Sequence, residues 1–127
     1  MYIFSPNTLI RSAEINANFT ELKKPAYTES APTSITPNID SYEMFALFGL
    51  TATLTINPPI GTPANNQNII FRLKDNGTIR TLSWNAIYRA IGVTIPTATV
   101  ANKTFYIGCK YNEQDIKWDV ISVTREA

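Results

Sequence analysis

The stretch Asn68 to Trp84, NIIFRLKDNGTIRTLSW, constrains this chain more than any other, because its apolar residues recur at every second position on both sides of Asn76-Gly77. A period of two places successive side chains on opposite faces of a strand. Asn-Gly is the commonest two-residue hairpin turn, since both residues tolerate positive φ at little cost. Counting outward from that turn predicts a β-hairpin in which Asp75 faces Thr78, Leu73 faces Arg80, Phe71 faces Leu82 and Ile69 faces Trp84. Lys74 then pairs with Ile79, Arg72 with Thr81 and Ile70 with Ser83 on the other face.

The same period appears elsewhere. Leu50, Ala52, Leu54 and Ile56 alternate with Thr51, Thr53 and Thr55, and Asn57-Pro58-Pro59 ends that strand. NAIYRAIGVTIP reads as an irregular excursion or short helix before a brief strand near Val93. Two more strands are expected at about 103–111 and 117–124, joined by a polar loop over 112–116. The fold class is therefore mainly β, a small antiparallel sandwich or barrel-like domain over residues 39–127. Ahead of it, Ser12 to Lys24 carries Ile15, Phe19 and Leu22 at the i, i+4, i+7 spacing of one helical face. Ser12 can cap its start and Pro25 stops it. A helix of three turns is marginal alone and needs a surface to pack against. Residues 1–24 thus form a short helical segment, and the Pro/Ser/Thr-rich residues 25–38 read as an extended linker.

The expected strands at 42–48, 103–111 and 117–124 are apolar on both faces. Phe105, Ile107 and Cys109 share one side with Tyr106 on the other, and Trp118 and Val120 oppose Ile121 and Val123. A single sheet exposed to water on one side has no use for this pattern, so it predicts cover by a second sheet or by another copy of the chain. A homo-oligomer sharing β surfaces is the expectation.

Composition then removes function classes. A chain of 127 residues with 44% hydrophobic content supplies one core. Its formal charge of +1 gives no global field toward nucleic acid or an acidic membrane. No apolar run reaches the roughly 18 residues of a membrane span, and MYIFSPN lacks the basic start and apolar core of a signal peptide, so a soluble protein made in the cytosol is expected. The absence of histidine removes imidazole triads and histidine-ligated zinc. Cys109, the only cysteine, sits among Tyr106, Ile107 and Tyr111, where a packed strand thiol outweighs a nucleophile. Glu43, Asp115 and Asp119 are the carboxylates that a glycosidase would have to use, but turn and solvated-face roles explain them equally well. Arg72, Lys74 and Arg80 superficially resemble a nucleic-acid surface, yet the hairpin register splits them between faces. Trp84, Tyr88, Tyr111 and Trp118 are candidates for stacking on sugars, with core packing the stronger role for both tryptophans. No enzyme activity, metal or cofactor is expected.

Two stretches carry a family resemblance. FSPNTLIRSAEINANFTELK resembles the short amino-terminal segment of many tailed-phage fibre and virion proteins, through Ala13, Glu14, Asn16, Ala17, Asn18, Phe19 and Leu22. Residues 40–126 resemble a β domain that recurs in phage tail-fibre and head-decoration proteins, through TLTINPPIGTPANNQNIIFRLKDNGTIRTLSWN, YRAIGVTIPT, KTFYIGCKYN and KWDVISV. The resemblance implies a non-enzymatic, trimeric virion component, assembled in the host cytoplasm. Its amino-terminal segment would dock on the particle through Ile15, Phe19 and Leu22. The short chain, with no repetitive shaft or receptor-binding tip, fits a capsid decoration, cement or short head-fibre protein. A tail-fibre or adaptor component, or a carbohydrate-binding module contributing to host attachment, is the alternative. Partners implied are further copies of itself, major capsid or tail proteins and a host surface glycan, with neither nucleic acid nor membrane.

Overall fold

A computed structural model describes residues 24–127, in which the chain winds back and forth between two sheets. Its strands are β1 (Ala26–Ser30), β2 (Ser34–Ile35), β3 (Met44–Leu50), β4 (Leu54–Ile56), β5 (Asn68–Asp75), β6 (Leu82–Trp84), β7 (Tyr88–Ala90), β8 (Phe105–Asn112) and β9 (Lys117–Arg125). The six-stranded sheet has the order β1-β3-β5-β8-β9-β7, and the three-stranded sheet the order β2-β4-β6. Among the described residues the fold is mainly β and holds no helix. The helix expected over 12–24, with Ile15, Phe19 and Leu22, lies outside the described residues except for Lys24.

The first six strands alternate between the sheets. Each departure to the small sheet and return brings the next strand of the large sheet in with the same direction, so β1, β3 and β5 pair in parallel, as do β2, β4 and β6. The antiparallel expectation holds for β5 with β8 and for β8 with β9, whereas β7 joins β9 in parallel. The sheets are therefore mixed, because partners in the winding part come from successive coils rather than from either side of a tight turn.

The expected hairpin at Asn76-Gly77 is corrected on the same ground. β5 pairs with β3 and β8 and never with β6, which belongs to the other sheet. The turn residues form a corner: Gly77 takes φ +104° and donates its N–H to Asp75 Oδ1 at 2.9 Å, while Asn76 N–H reaches back to the Leu50 carbonyl at 3.2 Å. The continuous strand expected over 50–56 breaks likewise at 51–53, where the chain leaves β3 for β4 and Ala52 is exposed. The expected faces survive these changes: Ile69, Phe71, Leu73, Leu54 and Ile56 are all buried.

The segment 25–38 is extended, as expected, but it is part of both sheets rather than a tether alone. It supplies β1 and β2, and Ile35 enters the core. The core lies between the sheets and draws on both, with Phe45, Leu47, Phe71, Leu73, Ile107 and Val120 from the large sheet and Ile35, Leu54, Ile56 and Leu82 from the small one. Residues 85–95 run as turns around the short β7, with no strand at Val93. The final pair matches expectation closely, and its ladder carries a bulge between Gly108 and Cys109. Such a bulge adds one unpaired residue, here Ile121.

Candidate interaction surfaces

Register fixes what the large sheet shows on its outer face. Met44 pairs with Ile70, Ile70 with Gly108, and Gly108 with Ser122, while the next row runs Thr28, Ala46, Arg72, Tyr106, Thr124. The inner neighbours on β3, β5 and β8 are buried, but Phe48, Ile70, Tyr106 and Ile121 keep 47%, 39%, 42% and 44% of their surface exposed. The outer face is thus mixed: Ala46 is buried, and the exposed apolar side chains stand among exposed Arg72, Lys74 and Lys110. Large exposed apolar patches on soluble proteins mark interaction sites. Gly108 keeps the middle of this face low, with the nearest side chain to its missing Cβ being Ser122 at 3.5 Å.

A second surface lies where the edge strands β1 and β2 meet. A cleft of about 150 Å³ opens there, its lining half aromatic and apolar (Tyr27, Ile35, Tyr42 and Phe45) and half polar, with Glu29 and Asn38 among the latter. The three rings form a cluster with centroids 5.3–6.1 Å apart. Tyr27 donates its hydroxyl to Glu29 at 2.8 Å, and this bond to a carboxylate, with burial behind it, raises the phenol above its ordinary value.

Polar side chains concentrate at one end of the outer face. Arg89 donates to Asp119 Oδ1 (2.9 Å) and Asp115 Oδ2 (2.9 Å), and the Asn112 amide donates to both carboxylates at 3.3 Å. Those two hydrogen bonds raise the Arg89 guanidinium further above its ordinary value. The carboxylates considered for glycoside hydrolysis are thus joined through one cation, with Glu43 outside the cluster. Tying β7, β9 and the 112–116 loop together is what this network does.

Of the basic trio, Arg72 and Lys74 lie exposed on the outer face, whereas Arg80 is half-buried at the corner and donates Nε–H to the Leu50 carbonyl at 3.2 Å. The three are therefore apart, but not as opposite faces of one hairpin: Arg80 lies outside the strands, at the corner between β5 and β6. Cys109 is buried, and burial pushes its thiol up to about 12, a poor nucleophile at neutral pH.

The four aromatics considered for sugar stacking all take part in packing. Trp118 is 1% exposed and packs on Tyr111 at 5.0 Å between centroids, which leaves the Trp118 ring closed to a ligand, while Tyr111 borders a surface pocket with Asn66, Lys110 and Asp119. Phe71, Trp84 and Tyr88 form a T-shaped cluster that joins the two sheets. Trp84, half-buried, donates Nε1–H to the Pro96 carbonyl, and buried Tyr88 donates its hydroxyl to the Asn57 carbonyl, each at 2.8 Å. Burial raises the Tyr88 phenol far above its ordinary range.

One structural residue escaped sequence reasoning. Asp75 ends β5 on its buried face, 3% exposed, and accepts from Gly77 N–H, Asn102 N–H and the Thr99 hydroxyl at 2.9, 2.9 and 2.6 Å. Its signal was the alternation itself, which runs Ile69, Phe71, Leu73, Asp75.

Among the described residues no group of three or more Cys, Asp or Glu side chains is placed to hold a metal ion, and no helix is long and apolar enough to cross a membrane. Scans against protein-family models, curated proteins and solved structures find no match to this chain.

Proposed function

We propose that this chain is a non-enzymatic structural component of a tailed-phage virion, a capsid decoration, cement or short head-fibre protein. It works as a homo-oligomer, with three copies the number that the family resemblance implies. Residues 1–24, as a short amphipathic helix, anchor it to the major capsid or tail protein through Ile15, Phe19 and Leu22. The two-sheet domain then projects as a small sandwich.

The observation that supports this reading best is the outer face of the large sheet. Phe48, Ile70, Tyr106 and Ile121 stand exposed on strands whose inner faces are already packed. Self-assembly gives such a face its cover. A tail-fibre or adaptor role uses the same surface and differs only in position on the particle.

Light scattering of the full chain at several concentrations should give a stable oligomer. Deleting residues 1–24 should abolish incorporation into particles while the β domain keeps its strand signature in circular dichroism. Incorporation of the truncated protein would sink the anchor assignment. Gold labelling spread over the head would identify a decoration protein, and labelling at one vertex a tail component.

A further inference from the structure

Where the turn before β5 meets the loop over 112–116, a surface pocket of about 230 Å³ opens at the end of the large sheet away from Phe48. Its walls are held from behind. Asn66 N–H donates to the Tyr111 carbonyl at 3.0 Å, Tyr111 N–H to the Gln67 carbonyl at 2.9 Å and Glu113 N–H to Asn65 Oδ1 at 3.1 Å, which pins the turn to β8 and to the loop after it. Asn66 takes φ +68°, a left-handed conformation that asparagine adopts more readily than most residues. Lys110 donates Nζ–H to Asn68 Oδ1, and Arg89 holds Asp119 Oδ1, each at 2.9 Å. Polar groups oriented in advance lose little freedom when a ligand arrives.

Amides dominate the lining, with Asn65, Asn66, Asn112 and Gln114 all facing the same space. An amide offers donors and an acceptor on one plane, which matches a hydroxyl group, itself donor and acceptor at once. Asn65 spends its oxygen on Glu113, and Asn112 is engaged with Asp115 and Asp119. The side chains of Asn66 and Gln114 have no hydrogen-bond partner among the described residues. Lys110 and Asp119 contribute one charge of each sign, so the lining favours neither an anion nor a cation. Ile121, 44% exposed, is an apolar wall that suits the C–H face of a saturated ring rather than the stacking a flat base requires. A cavity of about 150 Å³ takes a benzene ring, and the larger pocket here has room for a six-membered ring with its hydroxyls.

We propose that this pocket binds one pyranose unit of a neutral glycan. Ile121 lies against the C–H face of the sugar, Asn66 and Gln114 bind neighbouring hydroxyls, and the remaining Lys110 proton and Asp119 lone pair take the next ones along the ring. The site is separate from Trp84, Tyr88 and Trp118, and its selectivity comes from amides rather than from a stacking ring. Glycan binding here needs neither the anchor nor the virion reading. In an assembled protein it requires that the oligomer contact over Phe48 and Ile70 leave this end of the sheet open. A single sugar unit in an open pocket binds with a dissociation constant on the order of millimolar.

The test is a titration of the nitrogen-labelled full chain with glucose, galactose and N-acetylglucosamine, each to tens of millimolar, followed by nuclear magnetic resonance. The side-chain amide signals of Asn65, Asn66 and Gln114 should move in a saturable way with at least one of the three sugars. Sorbitol, an open chain with the same kind of hydroxyls, should leave them in place. Gln114→Ala removes an exposed side chain with no partner, and Asn66→Gly removes an amide while keeping the left-handed backbone, so both variants fold. Each should weaken binding about fivefold, the loss of one hydrogen-bonded group, whereas Tyr42→Phe at the other cleft should bind as the wild type does. Amide signals that stay still with all three sugars would overturn the proposal, as would equal shifts with sorbitol. Wild-type affinity in both Gln114→Ala and Asn66→Gly would place the sugar elsewhere and overturn it too. Saturable shifts with cytosine but with no sugar would make this a base pocket, the opposite of what the saturated wall at Ile121 requires.

Discussion

Replacing Ile70 with Lys is the sharpest test of the outer face, because that position lies between Met44 and Gly108 in the middle of the sheet, pointing away from the core. In a monomer the lysine would stand in water and the fold would be unharmed. In an oligomer that buries this face it would be desolvated. Phe48, Ile70, Tyr106 and Ile121 retain 47%, 39%, 42% and 44% of their surface, which at roughly 200 Å² per large side chain is on the order of 340 Å² of exposed surface. Covering it is worth about 8 kcal/mol at ~25 cal/mol per Å², against an association cost of about 4–15 kcal/mol. The margin is thin enough for one residue to decide. Ile70→Lys forfeits about 2 kcal/mol of that burial and adds at least ~2 kcal/mol for an unpaired buried charge. Together these weaken association roughly a thousandfold. Sedimentation and light scattering over a concentration series would read this as dissociation to monomer, with circular dichroism confirming the unchanged fold. A wild type that stays monomeric through the high-micromolar range, or an Ile70→Lys protein that assembles like the wild type, would refute the argument.

Two further outcomes follow from buried groups. Burial alone would raise the Asp75 carboxyl, but hydrogen bonds from Thr99, Asn102 and Gly77, with the nearby Arg80 charge, outweigh it and hold the group below its ordinary value. A depressed folded pKa stabilises the fold above the unfolded value of about 3.9 and is lost as pH falls through the folded one. Asp75→Asn should therefore be less stable than wild type by about 1.5–3 kcal/mol at neutral pH, and the gap in urea midpoint should close as pH drops below 4; a gap independent of pH would contradict this. Cys109, with its thiol pushed up to about 12 and packed in the core, should resist alkylation at neutral pH until the domain unfolds, so rapid labelling of the native protein would count against the packing described.

Faces were legible in this sequence and neighbours were not, for a physical reason. Alternation at Ile69, Phe71 and Leu73 reports which side of a strand meets the core, and it does so whichever strand lies alongside. A hairpin partner is a few residues away and leaves a turn signature, which is why β8 and β9 could be placed within about two residues of their observed ends. The parallel partners lie further off, Ala26 beside Met44 and Met44 beside Ile70, and no local pattern encodes such spacings. Asn76-Gly77 shows how a true turn signal misleads: the positive φ is there, but only at Gly77, and it serves an Asp75-capped corner between sheets. Thr51-Ala52-Thr53 keeps the strand period through a second corner, so nothing in it marks the break. The aromatics were legible as core candidates, whereas the cleft at Tyr27 and Tyr42 was hidden inside a stretch whose Pro and Ser content reads as linker.

The winding also explains why an uncovered face is built into the fold. Each of the first three coils gives one strand to each sheet, so six strands alone would make two matched layers. β7, β8 and β9 all join the large sheet, widening it to six strands against three. The inner face of the widened half is closed by the rings of Tyr88, Tyr111 and Trp118 and by Cys109, so the chain uses its largest side chains to complete one layer. Nothing is left in the described chain to form a third layer over Phe48, Ile70, Tyr106 and Ile121. That face also carries charge: Arg72 stands between Ala46 and Tyr106 on the central strand β5, with Lys74 two residues further along it and Lys110 on β8. A partner that covers Phe48, Ile70, Tyr106 and Ile121 must therefore also pair the Arg72 guanidinium or leave it in water, so the face suits a mixed interface, apolar at Ile70 beside the low point at Gly108 and polar at Arg72.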